Sequence, residues 1–101
     1  MIKHIVWWTL KEEAEGRPAL ENGRKAIEMF EGLSGQIESL ISLEVSLAIE
    51  DTTTVEAHLV LQSSHKDMEG LSAYADHPKH LEAVDFIKKI VSSRQAIDYA
   101  V

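Results

Sequence analysis

Cysteine is absent from this chain of 101 residues. That excludes disulfide staples, thiolate nucleophiles and cysteine-based metal centres together. Proline occurs twice, at Pro18 and Pro78, and glycine five times, so no segment has the composition of a linker or a disordered tract. Positive charge is scarce: ten Lys and Arg stand against seventeen Asp and Glu, a formal net charge of −7. Nucleic-acid surfaces need clustered Lys and Arg to replace phosphate counterions. Neither nucleic acid nor an anionic membrane is therefore an expected partner, and the acidity serves solubility. No apolar run approaches the ~20 residues of a membrane-spanning helix, and the opening Met1–Trp8 is too short an apolar run for a secretory leader. A cytoplasmic location is expected. No Gly-rich phosphate loop, dinucleotide fingerprint, Ser-His-Asp arrangement, H-x-H pair or HExxH helix is present.

What is present suits one domain over residues 1–101. Hydrophobic residues make up 45% of the chain, and a domain of this size buries roughly 65% of the surface its unfolded chain exposes. Ile2–Leu10 reads as a strand with His4, Val6, Trp8 and Leu10 on one face and Lys3, Ile5, Trp7 and Thr9 on the other. Lys11–Arg17 reads as a charged loop. Pro18–Leu33 reads as a helix whose inner stripe is Leu20, Ile27 and Phe30, joined by Gly23 and Leu33. Ser39–Ala48 alternates Ile41, Leu43, Val45 and Leu47 with polar residues, and Thr54–Ser63 places Val55, Ala57, Leu59 and Leu61 on one face and His58, Val60 and Gln62 on the other. Two helices follow, separated at Pro78, and a last strand runs over Arg94–Val101. There is no repeat.

Strand, helix, strand, strand, helices, strand is the ferredoxin-like order: an α+β fold with a four-stranded antiparallel sheet and helices on one face. Helices cover one side only. An apolar row on the uncovered side marks an interface, and a second copy related by a two-fold axis is the simplest cover. The sequence therefore predicts a homodimer closing into an α/β barrel through Ile41, Leu43, Val45, Leu59 and Leu61. With that row at the interface, His58 points toward the helices.

The stretch Tyr74-Ala75-Asp76-His77-Pro78-Lys79-His80 holds most of the chemistry. Pro78 lacks an N–H and fixes its φ, so it ends one helix and opens the next. His77 is pushed out of the α region into the corner between them. His80 falls in the first turn of the second helix, where the helix terminus disfavours the imidazolium and lowers the pKa. A neutral imidazole near pH 7 serves as a general base. Strand alternation aims His4, Val6 and Trp8 at the same layer.

Tyr-x-x-His-Pro-x-His, the amphipathic helix behind it, the terminal Asp98-Tyr99 and the opening Ile2-Lys3-His4-Ile5-Val6 together resemble the stress-responsive α/β-barrel (Dabb) family over nearly the whole chain. The resemblance implies a homodimeric α/β barrel. It also implies an activity, since the best-characterised member is a plant polyketide cyclase that closes a ring by aldol condensation. Carried over by motif position, His80 is the base and Tyr74 assists it, with His4 and His58 lining the pocket. Val6, Trp8 and His77 complete the expected substrate-binding set. No cofactor and no metal are required.

Bland alternatives stand beside these roles. His77 before Pro78 suits a backbone-bonded corner. His4 and His58 suit a satisfied polar pair across adjacent strands. His65, in a polar stretch, is expected to be solvated. Two function classes remain open: a cofactor-free cyclase or aldol-type lyase acting on a small carbonyl compound in a cavity between sheet and helices, and a non-catalytic dimeric structural or stress-response module.

Overall fold

A computed structural model covers the whole chain, Met1 to Val101. β1 (Ile2–Leu10) is the strand around which it is built. A short hairpin follows, β2 (Glu13–Ala14) and β3 (Arg17–Pro18). Then come α1 (Ala19–Glu31), β4 (Ser42–Ser46), β5 (Leu59–His65), α2 (Met68–Asp76), α3 (Pro78–Ile90) and β6 (Val91–Ala100). The main sheet is antiparallel throughout, in the order β4-β5-β1-β6. This is the ferredoxin-like fold. No helix is long and apolar enough to cross a membrane.

The core lies between the sheet and the helices. Val6, Trp8 and Leu10 of β1 and Leu59 and Leu61 of β5 meet Ala26 and Phe30 of α1, Tyr74 of α2, and Ala83, Ile87 and Ile90 of α3. Leu59 and Leu61 are 0% and 1% exposed, each such burial contributing about 1.5–3 kcal/mol. Trp8 stacks on Phe30 with ring centroids 5.7 Å apart.

The predicted interface row is corrected here. Directly paired residues share a face, and Val6 opposes Leu61 while Val45 opposes Leu61 from the other side. Leu59 and Leu61 therefore face the helices, and Leu43, Val45 and Leu47 pack against the same core. Ile41 precedes β4 and is 53% exposed. The uncovered face carries Ser42, Glu44, Ser46, Val60, Gln62 and Ser64 on β4 and β5, and an apolar group of Ile5, Trp7, Ile97 and Tyr99 on β1 and β6. Alternation fixes which residues travel together, not which side the set faces. The more apolar set took the fully buried side. With the faces exchanged, His58 leaves the helical layer. It lies ahead of β5, is exposed, and its Nδ1 accepts from the Leu10 N–H at 2.9 Å.

Other elements depart from the sequence reading: β5 starts at Leu59 rather than Thr54, and β6 at Val91 rather than Arg94. The charged stretch before α1 folds as the β2–β3 hairpin, turned through Glu15 (φ 53°) and Gly16 (φ 73°), the pair of left-handed residues a two-residue hairpin needs. The stripe α1 buries is Asn22, Gly23, Ala26 and Phe30, and Leu20 stands 54% exposed. Asn22 was not a core candidate, yet it ties the hairpin down. Its Nδ2 donates to the carbonyls of Ala14 (2.9 Å) and Arg17 (3.2 Å), and its Oδ1 accepts from Arg17 Nε (2.9 Å). Gly23 lets Leu47 approach: a Cβ there would meet Leu47 Cδ2 at 2.7 Å.

Candidate active site

Asp67 starts α2 by accepting the Gly70 N–H on its side chain at 2.8 Å. The helix ends at His77, which is extended (φ −65°, ψ 134°) ahead of Pro78 and serves in turn as the N-cap of α3. His77 Nδ1 accepts from the Lys79 N–H at 3.1 Å. This corner sets Tyr74 and His80 against each other as a tilted pair, with ring centroids 4.3 Å apart and an interplanar angle of 50°.

They line a cavity of about 700 Å³ between the sheet and the α2–α3 layer. Val6, Trp8, Phe30, Leu61, Leu71 and Ile87 form much of its apolar wall, and its polar groups include His4, Tyr74, His80, Arg94 and Asp98. Of the sequence-predicted site residues, the structure brings His4, Val6, Trp8, Tyr74 and His80 together. His58 and His77 are not among its lining residues. His58 is displaced by the exchange of faces, and His77 by its capping role, which leaves it partly exposed beside a different surface hollow.

His80 is held in a defined tautomer. Its Nδ1 lies 3.0 Å from the Ala75 carbonyl oxygen, which can only accept, so Nδ1 carries the proton and Nε2 keeps a lone pair. Burial is the largest influence on its pKa and holds it below the ordinary 6.5. The bond to Ala75 opposes this, and the charges of His4, Arg94 and His65 add to the lowering. The direction expected from the helix terminus is therefore present with a different leading cause. Tyr74 is 1% exposed, and burial pushes its phenol well above the usual range. It stays protonated and can only donate to a developing negative charge. Its hydroxyl has no protein partner, and Trp8 Nε1 is the one fully buried side-chain polar atom left unpaired. The Tyr74 hydroxyl is thus open to the cavity it lines.

Two groups escaped the sequence reading. His65 is 0% exposed rather than solvated. Its Nδ1–H donates to the Ser39 carbonyl at 2.8 Å and its Nε2 pairs with Ser63 Oγ at 2.9 Å. Its ring lies 4.9 Å from that of Tyr74, tilted by 43°. Burial leads in lowering its pKa, against the Ser39 bond that raises it, while His4 lowers and Asp98 raises it further. Asp98 pairs with His4, Nδ1 to Oδ1 at 2.5 Å, because the β1–β6 register sets them opposite each other. The only sequence sign of Asp98 was its place in the terminal Asp98-Tyr99. For His65 the only sign was its even spacing from Leu59 and Leu61. The His, Asp and Glu side chains form no group of three or more able to hold one metal ion.

Fold and site together define a ferredoxin-like domain that presents a tyrosine–histidine pair to a cavity between its sheet and its helices. The chain belongs to the stress-responsive A/B barrel domain family (Dabb), whose model matches residues 2–101. A dimeric ferredoxin-like protein of unknown function from Bacteroides fragilis superimposes with a TM-score of 0.85 at 25% identity, over 99% of this chain and 95% of that one. A Dabb family protein from Mesorhizobium loti gives 0.74 at 26%, over 99% and 95%. The hydroxynitrile lyase of Passiflora edulis gives 0.82 at 11%, over 99% and 92%, a likeness of fold. No curated protein matches the sequence.

Proposed function

We propose that this protein binds a small carbonyl compound in the cavity and performs cofactor-free proton-transfer chemistry on it, as a cyclase or aldol-type lyase. One observation carries the reading. The His80 Nε2 lone pair and the unpaired Tyr74 hydroxyl are presented together in a largely apolar cavity of about 700 Å³, a size suited to a small molecule. Nε2 takes the proton α to the carbonyl. Tyr74 donates a hydrogen bond to the carbonyl oxygen as the enolate charge develops there. The enolate carbon attacks a second carbonyl, and the proton on His80 goes to the new alkoxide, so atoms and charge balance. The lyase direction runs the same steps backwards. The carboxylate of Asp98 orients His4 beside this pair.

The test is a panel of methyl ketones and phenols followed by amide and side-chain NMR. Binding is expected to shift Leu71, Tyr74 and His80 resonances together. A panel that leaves this cavity untouched sinks the enzyme reading and leaves the non-catalytic dimeric module.

The proposed unit is a homodimer working in the cytoplasm. Ile97 and Tyr99 are 51% and 40% exposed on the uncovered face of the sheet, beside Ile5 and Trp7, and the Bacteroides fragilis neighbour is described as dimeric. Ile97→Glu should give a folded monomer by light scattering, because two copies of the carboxylate would be buried unpaired at the dyad-related faces. A dimer of unchanged size and stability rules out this face as the interface.

A further inference from the structure

The cavity has a second polar end that the carbonyl chemistry does not use. Arg94 of β6 opposes Trp8 of β1 in the sheet, as Asp98 opposes His4. Four residues along β1 separate His4 from Trp8, about 13 Å of strand. The two polar pairs thus sit at different levels of one cavity. At the His4 level an acceptor is present, because Asp98 takes the His4 Nδ1. At the Trp8 level stands Arg94, which can only donate. Arg94 has no carboxylate partner, since His4–Asp98 is the one ion pair in the chain. Trp8 is 4% exposed and forms part of the apolar wall there. Lys88 of α3 lines the same cavity with a second cation. A guanidinium presents a fork of N–H groups matched to a carboxylate.

We propose that this end is an anion subsite, in which Arg94 holds a carboxylate of the ligand, with the Lys88 ammonium beside it. The ligand class is then a keto acid with an apolar middle. Its carboxylate lies at Arg94, its chain runs along Val6, Phe30 and Ile87, and its carbonyl reaches Tyr74 and His80. The inference rests on the proposed use of the cavity as the ligand site. The Arg94 charge acts on His80 after burial and the charge of His4. A bound carboxylate therefore offsets part of what weakens the base and couples occupation of one end to reactivity at the other.

The experiment compares 7-oxooctanoate with octan-2-one, the same chain and ketone with a methyl group in place of the carboxylate. Both are titrated into the full-length protein by calorimetry and ¹⁵N NMR. The acid should bind about tenfold or more tightly, the size of one charge-assisted hydrogen bond. It should shift the Arg94 side-chain Nε–H resonance, where the ketone does not. Arg94→Ala should bring the two affinities together, Arg94→Lys should keep part of the difference, and added salt should reduce it. Arg94 is exposed and unpaired, so these variants fold. Equal binding of both probes to the native protein, or a preference that survives Arg94→Ala, overturns the anion subsite and leaves the cavity as a carbonyl site. Binding of neither probe overturns the cavity as a ligand site, and the subsite with it.

Discussion

Replacing His80 by alanine should lower turnover of a true carbonyl substrate by ~10²–10⁴-fold, the usual worth of one positioned base, while the fold is kept. The imidazole has one protein hydrogen bond, to the Ala75 carbonyl at the exposed end of α2, so the stability change should stay within ~1 kcal/mol by urea denaturation. Tyr74→Phe removes the hydroxyl alone and should cost ~10²–10³-fold, as for one donor to a developing oxyanion. The pH profile carries the sign of the mechanism. The active form of His80 is neutral and its pKa lies below 6.5, so the rate should be level through neutral pH and fall only as pH drops through that lowered value. An NMR titration with His80 protonated above pH 7 contradicts the base role. A variant lacking His80 that unfolds, with no ligand bound by the parent, makes the motif a structural corner.

The second large effect concerns His65. His65→Leu should destabilise the protein by ~1–4 kcal/mol, because the buried Ser63 hydroxyl loses its partner at ~1–3 kcal/mol and the half-buried Ser39 carbonyl loses one it can partly replace with water. A solvated loop histidine, as the sequence suggested, would change stability by under ~0.5 kcal/mol, so urea midpoints separate the two cleanly. The linkage adds a signature. The folded-state pKa of His65 is depressed below 6.5. Its contribution is therefore complete above that unfolded value and is lost as pH falls from about 6.5 toward the folded one, because the unfolded chain then binds a proton that the folded chain does not. The native protein should weaken over that window. The His65→Leu protein should weaken less, with the remaining slope coming from His80, whose pKa is lowered in the same direction. Identical slopes in the two proteins would remove His65 from the account.

The corner at Pro78 shows what local chemistry can decide. A proline without an N–H, an extended residue before it and a capping side chain on that residue are all properties of three consecutive positions. They set Tyr74 and His80 against each other whatever packs around them. The order of strands and helices follows from periods of 2 and 3.6 in the same way, and with it the ferredoxin-like fold.

The side to which each strand turned was decided elsewhere. Leu59 and Leu61 share one phase whether the helices or another copy cover them, and only the registers Val6–Leu61 and Val45–Leu61 choose. That choice moved His58 out of the candidate site, turned the expected interface row into core, and drew His65 into the interior. Asp98 and Arg94 entered the cavity for the same reason. They lie 94 and 86 residues from His4 and Trp8, and antiparallel pairing of the first and last strands brings them together. The sequence by itself determined the order of the four main strands and the helices, the His77 corner and the Tyr74–His80 pair, because those follow from neighbours along the chain. The tertiary structure alone decided the faces, the buried His65 and the two polar ends of the cavity, because these depend on strand register and on which apolar set is best removed from water.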